Sequence, residues 1–366
     1  MKMLKAPGRG WRIGLMCGAF GVAGVLVFAL ARPAFSGPVQ PDMTIDAAAR
    51  AAVIGAMVSK LDKDYVFPEM AAKLHQQLQA RLSGGEFDRV SSAEQFAQRL
   101  TETLHDISHD RHLEVRYMAQ AQPEQAPGAP PDAQAQQHEH LEQVRFNYGL
   151  AAVRRLQGNL GYIDLHQIGR PDGAGIRIAA AMSQLRQTQA LVLDLRHCEG
   201  GDPDTVMVLA SYLFDHATHL NDIYWRDENR TEVRWTRPVA DGLAYGEQRA
   251  VYVLTSADTF SGCEDLAYAL KNAHRATLVG ETTGGGAHAG SPQRLSAHFM
   301  MFVPSGRPIN PVTHTDWEGT GVLPDVATSA SKALDAAQAL ALRGLIAKEP
   351  DADWKRRLQE RLDELT

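Results

Sequence analysis

The sequence has no basic patch. Its 37 lysines and arginines are outnumbered by 43 aspartates and glutamates, for a formal charge of −6 over 366 residues. Without the five basic residues of positions 1–36 (Lys2, Lys5, Arg9, Arg12 and Arg32) that charge becomes −11. An acidic chain with no basic stripe has no general attraction for nucleic acid, so no nucleic-acid partner is expected. Cysteine is scarce too: Cys17 lies in the N-terminal apolar stretch, leaving only Cys198 and Cys263. No cysteine closes that stretch behind small residues, which argues against a lipoprotein. Cys198 and Cys263 could pair in an oxidising compartment or persist as buried thiols, since sequence does not give their separation. No short repeat of solenoid type is present. No H-E-x-x-H motif is present either, and no cofactor or metal is called for.

What is there begins with an export signal. Four basic residues precede an uncharged apolar stretch from Ile13 to Ala31, and RPAFSGP follows, with Ala34 and Ser36 suited to cleavage before Gly37. Residues 1–36 therefore read as a signal peptide. Because the stretch is long enough to span a bilayer, an uncleaved N-terminal anchor is the alternative, and the only expected route to a membrane. Either way the rest of the chain is expected outside the cytoplasm, periplasmic or extracellular.

From Asp46 to about Leu104, apolar residues recur three and four apart in three runs separated by breaks at Asp64–Pro68 and Gly84-Gly85. A helical N-terminal domain over 45–117 follows from that spacing. Residues 118–145, rich in Pro, Gln and Ala, read as an exposed linker or loop too short for a domain. Beyond Phe146 the texture changes. NYGLAAVRRLQGNLGYIDLHQI alternates like two strands around a Gly-Asn turn, and ALVLDLR and VYVLT are buried strands, each followed by a glycine-containing turn and a helix. That order predicts an α/β (mixed α+β) core domain over 146–345, with helix N-termini gathered at one sheet edge. A C-terminal helical tail over 346–366 completes the chain.

The second of those turns reads DTFSGCED. Ser261 followed three residues later by Glu264 has the form of a capping box, the common use of such a pair. The same location, at a helix start beside a sheet edge, would also favour a nucleophile, because unpaired N–H groups stabilise an oxyanion there. The local stretch leaves both readings open.

Three longer segments together, LVLDLRHCEGGDPDTVMVLASYLF, VYVLTSADTFSGCEDLAYALKNAHRATLVGETTGGG and NPVTHTDWEGTGVLPDV, resemble the core of the tail-specific or C-terminal processing serine peptidases. The closer likeness is to the branch of interphotoreceptor retinoid-binding protein and the tricorn core. The resemblance covers about residues 45 to 340 and implies a crotonase/ClpP-like core with an N-terminal helical bundle, acting on a peptide or protein substrate. It makes Ser261 the nucleophile. In the processing branch a lysine base lies 25 positions later, but that position is Gly286, so a Ser/Lys dyad is excluded. The tricorn-like arrangement implies His112, in ISHDRHLEV, as base and Glu318, in DWEGTGVLPD, as its orienter. Arg111 stands where tricorn has serine, which puts any role for that position in doubt. Gly262, Gly200 and Gly201 would supply the backbone oxyanion donors, and a Cys198–Cys263 bond would tie those two turns together.

Competing readings are specific. His105, His109 and His112 stand at i, i+4 and i+7, as three imidazoles on one helix face would for a metal. His288, His298 and His314 read as ordinary surface or loop residues, with His288 close enough in sequence to GETTGGG to line the cleft. The retinoid-binding relatives use the same fold to carry hydrophobic ligands, and an activated serine also cleaves esters. Serine, histidine and glutamate all at matching places favour the peptidase. The chain leaves no room for a PDZ-type peptide-binding module between the helical part and the core.

Overall fold

The computed structural model describes residues 41–124, 133–239 and 244–366; the signal expected over 1–36 lies outside them. Helices α1 (Ala47–Asp64), α2 (Pro68–Ser83) and α3 (Ala93–Ser108) begin where the sequence signals them. The Asp46 carboxylate accepts the Ala49 N–H at 2.8 Å, Pro68 opens α2, and the Ser92 hydroxyl accepts the Gln95 N–H at 3.0 Å. Their apolar faces bury Ile54, Met57, Leu61, Leu74, Leu78, Phe96 and Leu100 together with Phe299, Met301 and Val303 from a later strand. The helical layer thus shares its core with a sheet.

That sheet is antiparallel. Strand β1 (Glu114–Tyr117) leads the chain toward α4 (Ala133–Arg145) and the hairpin β2 (Leu150–Leu156) and β3 (Leu160–Leu165). Next come α5 (Pro171–Leu185), β4 (Ala190–Asp194), α6 (Pro203–Ser211), β5 (Asp222–Trp225) and β6 (Arg230–Glu232). The chain continues through β7 (Ala250–Thr255), α7 (Gly262–Asn272), β8 (Thr277–Gly280), β9 (Ala289–Ser296) and β10 (Phe299–Ile309). It closes with β11 (Val326–Ala327), α8 (Ala330–Lys348) and α9 (Ala352–Leu365). The first sheet runs β1-β10-β5-β6, with β9 also on β10, and the second runs β11-β8-β7-β4-β3-β2. Only the β2–β3 pair of the second sheet, turning at Gly158-Asn159, is antiparallel.

Every residue of β4 is buried because helices cover both faces of the parallel sheet. Leu191 and Leu193 pack toward α5, α6 and α7, while Ala190 and Val192 pack toward α8 and α9. The mixed α/β class read from the sequence is therefore observed. Two readings are corrected. Residues 133–145 of the expected linker form α4, since that half of the segment has no proline and is rich in Ala, Gln, Glu, Leu and Arg, all good helix formers. The second, antiparallel sheet was not anticipated, because β10 pairs with β1 and β5, strands far from it along the chain. No helix among the described residues is long and apolar enough to cross a membrane.

The turns after β4 and β7 meet at the carboxyl edge of the parallel sheet, the usual position of a ligand site in such folds. A Cys198–Cys263 disulfide joins them, with the Cα atoms 6.0 Å apart. Of the two states the sequence allowed, the bonded one is present. The bond spans 65 residues, and closing a loop of that length stabilises the folded chain by about 4 kcal/mol in the chain-entropy account. Replacing both cysteines by alanine should lower the urea unfolding free energy by roughly that amount; a loss below about 1 kcal/mol would mean the native turns gain nothing from the tether.

Candidate active site

Ser261 occupies backbone angles of φ 51° and ψ −123°, a region that non-glycine residues enter at a cost of roughly 1–3 kcal/mol. What holds it there is Glu264, whose carboxylate accepts the Ser261 N–H at 2.9 Å. The same carboxylate accepts the N–H groups of Gly285 at 2.7 Å and Gly286 at 2.9 Å, and the Thr283 hydroxyl. Glu264 is fully buried, and burial pushes its pKa up against hydrogen bonds that favour the ion. Glu264 thus makes the return contact of the expected capping box to the Ser261 N–H. The Ser261 hydroxyl bonds the His112 Nε2 at 3.0 Å.

The neighbouring turn approaches closely. Gly200 has φ 120° and Gly201 φ 139°, and a Cβ on Gly200 would lie 2.8 Å from the Ser261 Cβ, so only glycine fits. Phe260 donates its N–H to the Cys198 carbonyl at 2.9 Å, which fixes one turn against the other. Gly262 is the first residue of α7, where an N–H has no partner within the helix. The structure brings Gly200, Gly201 and Gly262 together around Ser261.

His112 arrives from the helical layer, 149 residues away in sequence. Helix α3 stops at Ser108 because His109 turns left-handed, at φ 60°. The Asp110 carboxylate then accepts the His112 N–H at 2.9 Å, an Asx turn that sets the backbone from which the imidazole projects. Asp110 is itself a hub: its Oδ2 accepts the Tyr65 hydroxyl at 3.0 Å and pairs with the His288 Nδ1 at 2.7 Å. The His112 ring lies against Phe260 and Phe302, with centroids 4.7 and 5.8 Å away. Arg111 stacks on Phe260 at 5.1 Å and donates to the Gly284 carbonyl.

The far side of the imidazole differs from the expectation. Glu318 accepts the Ala287 N–H at 2.6 Å and lies 3.5 Å from the His288 Nδ1, but makes no hydrogen bond to His112. The His112 Nδ1 stands 4.0 Å from the nearer Asp110 oxygen, and both it and the Glu318 Oε1 are buried without a partner. One donor atom from each of Asp110, His112 and Glu318 falls within 4.8 Å of the others. So all three expected catalytic residues are gathered, with Glu318 across a short gap from the base it was expected to orient.

Burial drives the His112 pKa down to about 4; the Asp110 charge opposes the shift, while His288 and Arg111 add to it. Burial also raises Glu318 to about 7, against the pull of His288. For His288 burial works downward, but the hydrogen bond and charge of Asp110 overcome it and the net shift is upward. Burial would raise Asp110, and the His288 hydrogen bond and charge bring it down instead. The site therefore holds a neutral His112 beside a buried Asp110–His288 ion pair.

His105 and His109 do not join His112 on a helix face, since the helix ends before the third position, and the metal reading of that triplet fails. His298 bonds the Met118 carbonyl at 2.9 Å, and His314 occupies a left-handed turn position at φ 57°. Glu264, Asp110, Tyr65 and His288 were missed as site residues. The S-x-x-E and D-x-H spacings offered a signal for the first two, and the place of His288 after GETTGGG pointed to the cleft but not to its Asp110 partner; Tyr65 has no signal that local sequence carries.

Residues 159–328 match peptidase family S41, and residues 47–148 match the N-terminal domain of peptidase S41 in eukaryotic IRBP. The chain is 30% identical over 166 residues to carboxyl-terminal-processing peptidase 2, chloroplastic, from Arabidopsis thaliana, over 45% of this chain and 31% of that protein. It thus spans about a third of the length of the curated relative it matches. A crystal structure from Parabacteroides merdae, assigned as a peptidase, shares the fold at a TM-score of 0.54 and 15% identity, over 80% of this chain and 96% of that one. A lipoprotein from Streptococcus agalactiae does so at 0.53 and 15%, over 84% and 99%.

Removing the Glu264 carboxylate strands three backbone donors in a buried loop. Glu264→Ala should therefore destabilise the protein by about 3 kcal/mol or more, at roughly 1–3 kcal/mol for each unsatisfied group. Thermal unfolding measures this, and a loss under about 1 kcal/mol would show that water reaches those groups.

Proposed function

The chain belongs to peptidase family S41, and from that premise we propose that it is an exported serine peptidase acting through an acyl-enzyme on Ser261. The observation that carries the reading is the 3.0 Å contact between the Ser261 hydroxyl and the His112 Nε2. A protein that only carried an apolar ligand has no use for a serine held in a strained turn against an unprotonated imidazole.

In this reading His112 takes the hydroxyl proton as the Ser261 oxygen adds to the scissile carbonyl. The oxyanion that forms is received by the Gly262 N–H and the Gly200–Gly201 turn. His112 then gives the proton to the leaving amine, and water repeats the sequence on the acyl-enzyme. Creating an imidazolium in a buried site is unfavourable, and two carboxylates face its Nδ1 side to offset that. Asp110 does so as a fixed anion at 4.0 Å, and Glu318 by closing the short gap. Hydrogen bonds of this kind are often long in a free enzyme and tighten once substrate excludes water. Tyr65 and His288 act through Asp110 and are positioning residues. The substrate is a peptide or protein.

A fluorophosphonate probe read by intact mass tests this reading directly. Wild-type chain should take up one equivalent, and Ser261→Ala and His112→Ala should take up none; a well-folded wild type that stays unlabelled removes the peptidase assignment.

The rate of labelling should also carry the pKa pattern. Because the folded pKa of His112 lies near 4, its neutral form persists well below the ordinary histidine value of about 6.5. The acid limb of the labelling profile should fall near pH 4, with a further rise around pH 7 as Glu318 ionises opposite the imidazole. An acid limb at about 6.5 would show that His112 is solvated like a surface histidine.

A further inference from the structure

We propose that Asp110, His112 and Glu318 form an inhibitory site for a divalent transition-metal ion, with zinc the best chemical match, that switches the catalytic base off. Three observations converge on it. One donor atom from each residue lies within 4.8 Å of the other two, so an ion can reach all three after movements of about an ångström. The His112 Nδ1 and the Glu318 Oε1 are both buried and unpartnered, and the His112 side chain is 9% exposed. The donor set is one imidazole nitrogen and two carboxylate oxygens, a combination suited to zinc and to other borderline ions and unlike the all-oxygen cages of calcium or magnesium.

Two acidic side chains, Asp110 and Glu318, lie beside the imidazole; His288 at 2.7 Å from Asp110 and the Arg111 guanidinium stacked on Phe260 offset them, so the donor geometry and not the net charge carries the site. Asp110 keeps its bonds to the His112 N–H and the Tyr65 hydroxyl, which would serve as the outer hydrogen bonds that orient a metal-bound carboxylate. Glu318, with its side chain 18% exposed, is the most accessible of the three and the member whose Oε1 must swing inward.

The effect on the reaction follows from proton placement. A neutral imidazole that gives its Nδ1 lone pair to a metal carries its proton on Nε2. That N–H can only donate to the Ser261 oxygen, so the serine proton has no acceptor and attack stops. Binding and acylation also compete, since the gap that closes to steady the imidazolium is the one the ion occupies. The inhibitory effect rests on the serine-peptidase reading; the binding itself does not.

Zinc titration of the untagged Ser261→Ala chain by calorimetry, beside fluorophosphonate labelling of wild type in zinc or in EDTA, tests both parts. One zinc per chain is expected, with affinity reduced on the order of tenfold or more in a Ser261→Ala/Glu318→Gln chain. The same substitution should shift the visible spectrum of bound cobalt(II). His166→Ala controls for the His166–Asp164 pair, 3.3 Å apart, in which His166 is exposed, and should leave affinity unchanged. Wild-type labelling should slow at least tenfold in zinc and recover fully in EDTA. Absence of zinc binding, or affinity indifferent to Glu318→Gln, overturns the proposal. Binding at this site with labelling equally fast in zinc and EDTA overturns the switch. A wild type that fails to label even in EDTA, while zinc still binds through Glu318, leaves the metal site standing and removes the peptidase reading instead.

Discussion

Four hydrogen bonds to the buried Glu264 carboxylate hold the candidate site together. A buried carboxylate with incomplete partners costs several kcal/mol, so all its donors must arrive together or the arrangement is not stable. One donor is the Ser261 N–H, which fixes the strained turn. The others come from the 283–286 loop, whose next residue, Ala287, donates to Glu318, and whose Gly286 carbonyl accepts from the Trp317 indole at 2.8 Å. His288 follows and pairs with Asp110, which in turn sets the His112 backbone. A single loop thus connects Ser261, His112 and both carboxylates, which makes Glu264 the structural centre of the candidate site.

Electrostatically, the site separates two histidines by their surroundings. His112 and His288 both approach Asp110, yet burial wins for His112, whose Nδ1 stays 4.0 Å from the carboxylate, and the direct 2.7 Å hydrogen bond wins for His288. The protonated His288 then disfavours a second charge on His112. This division favours the neutral form of one imidazole, while the other offers a counter-ion to the buried Asp110. Asp110 alone beside Ser261 and His112 would carry an uncompensated charge.

Much of this was legible in the sequence because the features concerned are local. The strand–turn–helix units, the three N-terminal helices and the Gly158-Asn159 hairpin each announce themselves through periodicity and turn residues. Ser261, Gly262 and Gly200–Gly201 sit in the turns so defined. The illegible part is long-range. His288 pairs with a residue 178 positions away, and Tyr65 with one 45 positions away. Nothing in HAGS or KDYVF marks either as polar and buried. The antiparallel sheet was hidden for the same reason, since β10 finds its partners in β1 and β5 at either end of a long intervening segment. Glu318 shows the intermediate case: its motif located it, but only the folded chain reveals that its nearest partners are Ala287 and His288.

That sheet explains how His112 from the helical layer is held against Ser261 from the core. Val115, three residues after His112, pairs with Met301, and Met301 and Val303 are buried among the side chains of α1 and α3. The helical layer is therefore bonded to the core by strand hydrogen bonds and by shared burial, and the Ser261–His112 distance is a property of that joint. The same docking leaves no space for a side chain at position 286. A Cβ at Gly286 would lie 2.1 Å from the Phe260 ring and 2.8 Å from the His112 Cε1, so a side chain there would expel the imidazole from its place. Histidine and a residue larger than glycine at position 286 are mutually exclusive solutions, and this chain's packing has committed to the histidine.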